Sequence, residues 1–360
     1  MRLKSILGLS LLALFLTSCG NEKSDKTSEQ LAVKDSIQFN YNVEQFADIK
    51  ILRYQIPGWE QLTLKEQKLA YYLTQAGLSG RDIIWDQNYR HNLTIRKALE
   101  SVYNHYQGDK STAEWGAFET YLKRIWFSNG IHHHYSNDKI KPEFSADYLK
   151  KLLADTNTVL EGDPFEVIFN DKDSKKVNQG KGVDNVLLSA VNMYGPDVTN
   201  NDVINFYKNK KSPDALKPLS FGLNSQLVKE NGVLKERTYK SGGLYGSAID
   251  EIIKWLELAK GVAENEAQAN AFGLLIDYYK TGDLQTWDDY NVAWTSVTNG
   301  NIDYINSFIE VYNDPLGYTG SYETIVQIND FDMSQKMKVV SDNAQWFEDN
   351  STLMDAHKKE

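Results

Sequence analysis

Cysteine is almost missing from this sequence: Cys19 is the only one, so no intramolecular disulfide can form and no thiol nucleophile is available further along the chain. No Gly-x-Ser-x-Gly stretch occurs, which removes the strained turn that presents a serine nucleophile. None of the six histidines is followed by glutamate, so there is no His-Glu-x-x-His zinc helix. Basic clusters are not evident against 49 acids and a net charge of −10. Charge therefore argues against nucleic acid or an anionic membrane surface as partner, because phosphate binding needs grouped cations. After the amino terminus no apolar run is long enough to span a bilayer. The recognisable hydrolytic machines are excluded before any fold is considered.

What is present begins with "MRLKSILGLSLLALFLTSC". Arg2 and Lys4 precede an apolar stretch over 6–16 of signal-peptide length. Leu16-Thr17-Ser18-Cys19 then looks like a bacterial lipobox, small residues ahead of a thiol that can take a diacylglyceryl group. Residues 1–19 are expected to be a lipoprotein signal peptide ending in the lipidated Cys19. The polar stretch 20–36 is expected to be a flexible tether. Removal of residues 1–18 takes two cations and no acid, leaving 37 against 49, a net −12. The expected location is the cell envelope, with the chain lipid-anchored and facing the periplasm or the exterior.

Several segments carry helical signals. Thr63 and Glu66 form a capping box before "LKEQKLAYYLTQAG", with Leu69, Tyr72, Leu73 and Ala76 on one face and Gly77 as the stop. Ser111 and Glu114 repeat that device before "WGAFETYLKRIWF". Helices are also expected over 247–260, 265–280 and 334–348. Strands are expected over 225–240, with the Asn231-Gly232 hairpin turn, and over 163–171 and 322–330. The stretch 171–186 reads as a polar loop, and the balance is α+β.

Three constellations merit weighing. His132, His133 and His134 lie in "NGIHHHYSND"; on an extended segment His132 and His134 share a face that can hold zinc or copper, but no third ligand is evident at a defined spacing. The plainer reading is a structural cluster beside Trp126 and Tyr135. "GGLYG" at 242–246 reads either as a phosphate-cradling turn or as a tight strand-to-helix connection, and the missing Gly-Lys-Ser/Thr favours the second. In "INSFIEVYNDPLGYTG", Glu310 and Tyr312 share a face if the run is a strand. A carboxylate there suits an ammonium and the phenol suits a carbonyl or amide. The alternative is a helix end carrying an exposed acid.

"FIEVYNDPLG" followed by "GSYETIV" resembles the first characteristic region of the dipeptidyl peptidase III family of zinc exopeptidases. "ILRYQIPGWEQLTLKEQKLAYYLTQAGLSGRDIIWDQN", "IWFSNGIHHHYS", "SFGLNSQLVKENG", "GGLYGSAIDEIIKWLELA" and "NAQWFEDN" extend the likeness over nearly all of the chain after the tether. The resemblance implies that Glu310 holds the free amino group of a peptide and that Tyr312 hydrogen-bonds its backbone. It implies two lobes around a cleft: a lower lobe of helices around a small β-barrel, here residues 37–328, and a helical upper lobe begun by 329–360. The family's His-Glu-x-x-x-His zinc motif has no match up to residue 360. The chain is therefore expected to be the amino-terminal, substrate-binding part of such an enzyme, cut off before its zinc-binding half. By itself it is expected to hold no zinc, to have no catalytic residue and to be inactive. Its expected partners are short peptides with a free amino terminus, and the missing half. Two other readings stay open: a tethered peptide-binding lipoprotein without catalysis, and a glycan-binding lipoprotein, the latter suggested by 8 Trp and 21 Tyr.

Overall fold

The elements follow from local chemistry. The computed structural model describes residues 39–170 and 175–358; the expected signal peptide, Cys19 and the tether lie outside the described residues. A first hairpin pairs β1 (Asn42–Phe46) with β2 (Ile49–Leu52). The helix α1 (Leu64–Ser79) starts at the expected box: Thr63 accepts from the Glu66 amide, and Glu66 accepts from the Thr63 amide at 2.6 Å. It does not stop at Gly77. That glycine lies inside the helix because a Cβ there would sit 2.7 Å from Thr324 Cγ2.

Next come α2 (Arg81–Asn88), α3 (Asn92–His105) and α4 (Ala113–Ser128). The cap of α4 is Thr112, which accepts from the Trp115 amide, one residue after the expected Ser111; Ser111 instead donates to Asp109. After α5 (Ala146–Asp155), the expected strand at 163–171 is a helix, α6 (Asp163–Phe169). Pro164 sits at its start, where a missing amide costs nothing, and a seven-residue apolar run has too few periods to distinguish strand from helix. The short α7 (Asn185–Leu188) closes the segment expected to be a loop, and α8 (Asn200–Lys208) follows.

The hairpin of β3 (Ser225–Glu230) and β4 (Val233–Thr238) turns at Asn231 and Gly232, both at positive φ (53° and 79°), as the two-residue turn requires. Three amphipathic helices follow: α9 (Gly246–Gly261), α10 (Glu266–Thr281) and α11 (Leu284–Thr295). The last hairpin pairs β5 (Ile302–Glu310) with β6 (Ser321–Ile328). The expected helix at 334–348 is two helices, α12 (Phe331–Asp342) and α13 (Ala344–Asp349), broken at Asn343.

The three sheets are separate antiparallel pairs, so the expected β-barrel is not formed among the described residues. No strand ladder joins the hairpins among the described residues, although the Gly320 amide donates to the Leu223 carbonyl at 2.8 Å and the Thr319 hydroxyl to that of Ser225 at 3.2 Å. One face of β5–β6 lies on α1, where Tyr322 and Thr324 close against Gly80 and Gly77, while Ser241 hydrogen-bonds Tyr279 of α10 rather than another strand.

Residues 41–360 cluster as one unit with three buried apolar groups. The first joins α1, α9 and α10 to the last hairpin through Leu73, Ile252, Leu256, Leu275, Phe308 and Tyr322. The second packs α3 to α6 around Leu99, Phe118, Leu122 and Leu152. The third, around Met193, Val203 and Leu227, supports β3. No helix among the described residues is long and apolar enough to cross a membrane.

Candidate functional site

The turn that carries the site is built on a buried carboxylate. Asp314 accepts from the Tyr194 hydroxyl at 2.6 Å and from the amides of Leu316, Tyr318 and Thr319 at 2.9, 2.9 and 2.7 Å. Burial pushes this carboxyl up, against the pull of those donors. The hairpin is tied down on both sides. Gln87 of α2 donates to the Gly320 carbonyl and accepts from the Tyr322 amide, at 3.0 and 2.8 Å. Asn306 bridges Tyr279 and Tyr322 at 2.5 and 2.7 Å, and the Tyr322 hydroxyl reaches the Gly77 carbonyl at 3.2 Å. Gly320 leaves no alternative side chain, since a Cβ there would lie 2.7 Å from the Phe308 carbonyl carbon. A segment so anchored holds its exposed residues in one geometry without spending ligand binding energy on ordering them.

Those exposed residues include Glu310 and Tyr312. The run is a strand, not a helix end, and Glu310 is its last residue, paired with Ser321 across a bulge after Phe308. Tyr312 lies two residues past the strand, in the turn, rather than on the strand as expected. It is 79% exposed. The alternation nevertheless persists: Glu310 and Tyr312 face solvent while Ile309 and Val311 are half-buried. Next to the turn, Asn313 donates to Ser321 at 2.9 Å.

A third group was not legible in the sequence. Glu323 of β6 is half-buried opposite Ser307, and its carboxyl is pushed up first by burial and then by the negative charge of Glu310. A half-buried carboxylate in the field of a second carboxylate forms a site that a cation relieves. The strand at 322–330 was readable, but the register that brings position 323 into the field of position 310 was not.

The other candidates resolve differently. His132 is buried, with its ring edge on Tyr89, 5.4 Å between centroids. His133 accepts the amides of Tyr135 and Ser136 on Nδ1, both at 3.1 Å, and stacks on His134 at 4.4 Å. His134 in turn meets Phe127, and burial, then the charges of His133 and Lys176, lower its pKa. The neighbours are thus Tyr89, Phe127 and the expected Tyr135, while Trp126 meets Tyr103 instead. Among the described residues no three His, Cys, Asp or Glu side chains converge on a point that could hold a metal. The described residues by themselves do not assemble a ligand set for the zinc that the resemblance implies for the complete enzyme. "GGLYG" is a tight connection: Gly242 and Tyr245 take positive φ (67° and 62°), and the Tyr245 hydroxyl donates to Asp86 at 2.7 Å. Of the aromatics behind the glycan reading, Trp85, Trp115 and Trp287 are core residues.

Comparison with known proteins points one way. Residues 224–349 match the model of peptidase family M49. The chain is 24% identical over 314 residues to dipeptidyl peptidase 3 of Dictyostelium discoideum, covering 79% of this chain and 44% of that protein. It is 29% identical over 94 residues to dipeptidyl peptidase 3 of Nematostella vectensis, covering 26% and 13%. The solved structure of DPP III from Caldithrix abyssi superposes with a TM-score of 0.57 at 19% identity, over 84% of this chain and 46% of that one. Dipeptidyl-peptidase III from Corallococcus sp. strain EGB gives 0.54 at 16%, over 85% and 46%. The structural likeness establishes the fold, and the chain spans less than half the length of the relatives it matches.

Proposed function

Taking as premise that this chain is related to the dipeptidyl peptidase III family, we propose that residues 37–328 form the substrate-binding lobe of a peptidase of that kind. Glu310 and Glu323 receive the ammonium of a peptide amino terminus, and the Tyr312 hydroxyl hydrogen-bonds the peptide backbone beside it. The single observation that carries this reading is the β5–β6 register, Glu310 opposite Ser321 and Glu323 opposite Ser307, on a hairpin fixed by Asp314 and Gln87. A carboxylate pair without a counter-charge is matched by an ammonium, and charge-assisted hydrogen bonds of that type contribute roughly 1.5–3 kcal/mol when shielded from water.

Binding of this kind does not accelerate a reaction unless the transition state is held more tightly than the substrate. The described residues provide no ligand set for zinc, so the expected behaviour of the 360-residue chain alone is peptide binding without hydrolysis. The 329–360 segment belongs, in this reading, to a second, helical lobe. Lipidation at Cys19, and with it a location in the cell envelope, completes the proposal; mass spectrometry of the amino-terminal peptide from native membranes tests it through a diacylglyceryl adduct.

Calorimetry with one tetrapeptide in free and amino-acetylated forms tests the binding claim. Acetylation removes the ammonium and should weaken binding at least tenfold, by about the smallest charge-assisted increment. Equal affinities would sink the assignment. A dipeptidyl-arylamide assay with added zinc should show no turnover, and zinc-dependent turnover by the purified chain would overturn the inactive reading.

A further inference from the structure

The segment that carries Glu310 and Tyr312 also has a second face. Ile309 and Val311, half-buried where Glu310 and Tyr312 are exposed, form one wall of a cavity of about 640 Å³. Its other walls include Phe221, Leu223, Trp287 of α11 and Tyr318. Tyr318 is held in place by stacking on Tyr207 of α8, with centroids 4.6 Å apart and planes 22° apart. A cavity of this size with aromatic and aliphatic walls suits a small organic ligand.

One charged residue, a lysine, lines it. Lys208 lines the cavity and is exposed. It has no ion pair among the described residues, whereas Lys210 is paired with Glu236. The segment from α8 to Leu219 adds Lys211 and Lys217 against a single acid, Asp214. This gives the segment a local excess of positive charge in a chain of net charge −10. The acids Asp288 and Asp289, next to Trp287 in α11, do not line the cavity.

We propose that this cavity binds an amphipathic monoanion, an alkyl or aryl carboxylate, with its apolar body against Trp287, Ile309 and Val311 and its carboxylate at Lys208. Affinity comes from removing the ligand's apolar body from water, and the exposed lysine chooses the charge and orients the molecule. The site goes beyond the peptide-binding reading. It uses the opposite face of the same segment, so a peptide held at Glu310 leaves the cavity open.

The test is calorimetric titration of sodium dodecanoate, below its micelle concentration, into the full 360-residue chain, with dodecan-1-ol as the uncharged counterpart. Saturable one-to-one binding of dodecanoate is expected, with the alcohol binding more weakly. Lys208→Glu changes only an exposed side chain and should weaken dodecanoate about fivefold, the upper range for one exposed charge contact. Val311→Phe narrows the cavity from its wall and should abolish binding; where that variant fails to show a native unfolding transition, the Lys208→Glu and alcohol comparisons decide. No saturable binding, equal affinity for acid and alcohol, or binding unchanged by Lys208→Glu overturns the proposal. The last result would place the ligand elsewhere, for instance on exposed apolar residues of α12 and α13. Free-amine peptide titrated into the same preparation separates a failure of this site from a failure at Glu310.

Discussion

The β5–β6 hairpin and the α12–α13 pair are consecutive in the chain, joined through Asn329 and Asp330, and both are rich in apolar residues. In the hairpin, Tyr304, Phe308 and Tyr322 are buried, Asn306 accepts from Tyr279 of α10, and the Tyr322 amide donates to Gln87 of α2. In α12 and α13 no residue is buried; Met337, Val340, Trp346 and Phe347 are all about half exposed or more. Both regions have good local signals, since Asp330 caps α12 by accepting from the Met333 amide at 2.9 Å. Local signals therefore set where an element begins and ends, and burial decides how strongly it is held. The candidate site is on the strongly held side of that divide, as a preorganised binding surface should be.

The sharpest way to break the comparison is to exchange equivalent damage. Phe308→Ala empties a fully buried position and should cost roughly 3–5 kcal/mol in denaturant unfolding. Met337→Asp on α12 should stay within about 0.5 kcal/mol, as expected of a surface change. Equal costs would show that α12 is buried against a surface in solution. Asp314→Ala removes the acceptor of one hydroxyl and three amides, and should cost about 3 kcal/mol through buried donors left unpaired. It should also abolish peptide binding, because the Glu310–Tyr312 segment loses its anchor. Asp330→Ala should cost about 1 kcal/mol, seen as faster amide exchange confined to α12 with the global transition unmoved.

The smallest effect is a slope with pH. The Asp314 and Glu323 carboxyls are both raised by burial above their usual 3.8 and 4.5. The native state then keeps these protons longer than the unfolded chain does. Their contribution to stability is complete below the unfolded values and is lost as pH rises through the raised native ones. Unfolding free energy measured between pH 4 and 7 should carry this downward contribution, and Asp314→Asn should reduce it.

Much of the architecture could be read from the sequence because its signals are local. Thr63 and Glu66, Asn231-Gly232 and the alternation of "YETIVQIND" each act within a few residues, and each formed as expected. Errors arose where distance matters. Gly77 read as a helix stop because its role, admitting Thr324 from 247 residues away, has no local trace. The hairpins were visible, but a barrel requires pairing between hairpins, and that pairing did not form. At the candidate site the same rule holds: the shared outward face of Glu310 and Tyr312 was legible from spacing, whereas the places of Glu323 and Gln87 beside it came only through register and packing.

The central claim is that Glu310 and Glu323 together hold a peptide ammonium, and the most direct measurement is the affinity of one free-amine tetrapeptide for the native chain, Glu310→Gln and Glu323→Gln. The account predicts a loss of roughly tenfold or more for each substitution, with acetylation of the peptide costing less affinity in the Glu310→Gln background than in the native chain. Unchanged affinity in both variants would contradict it.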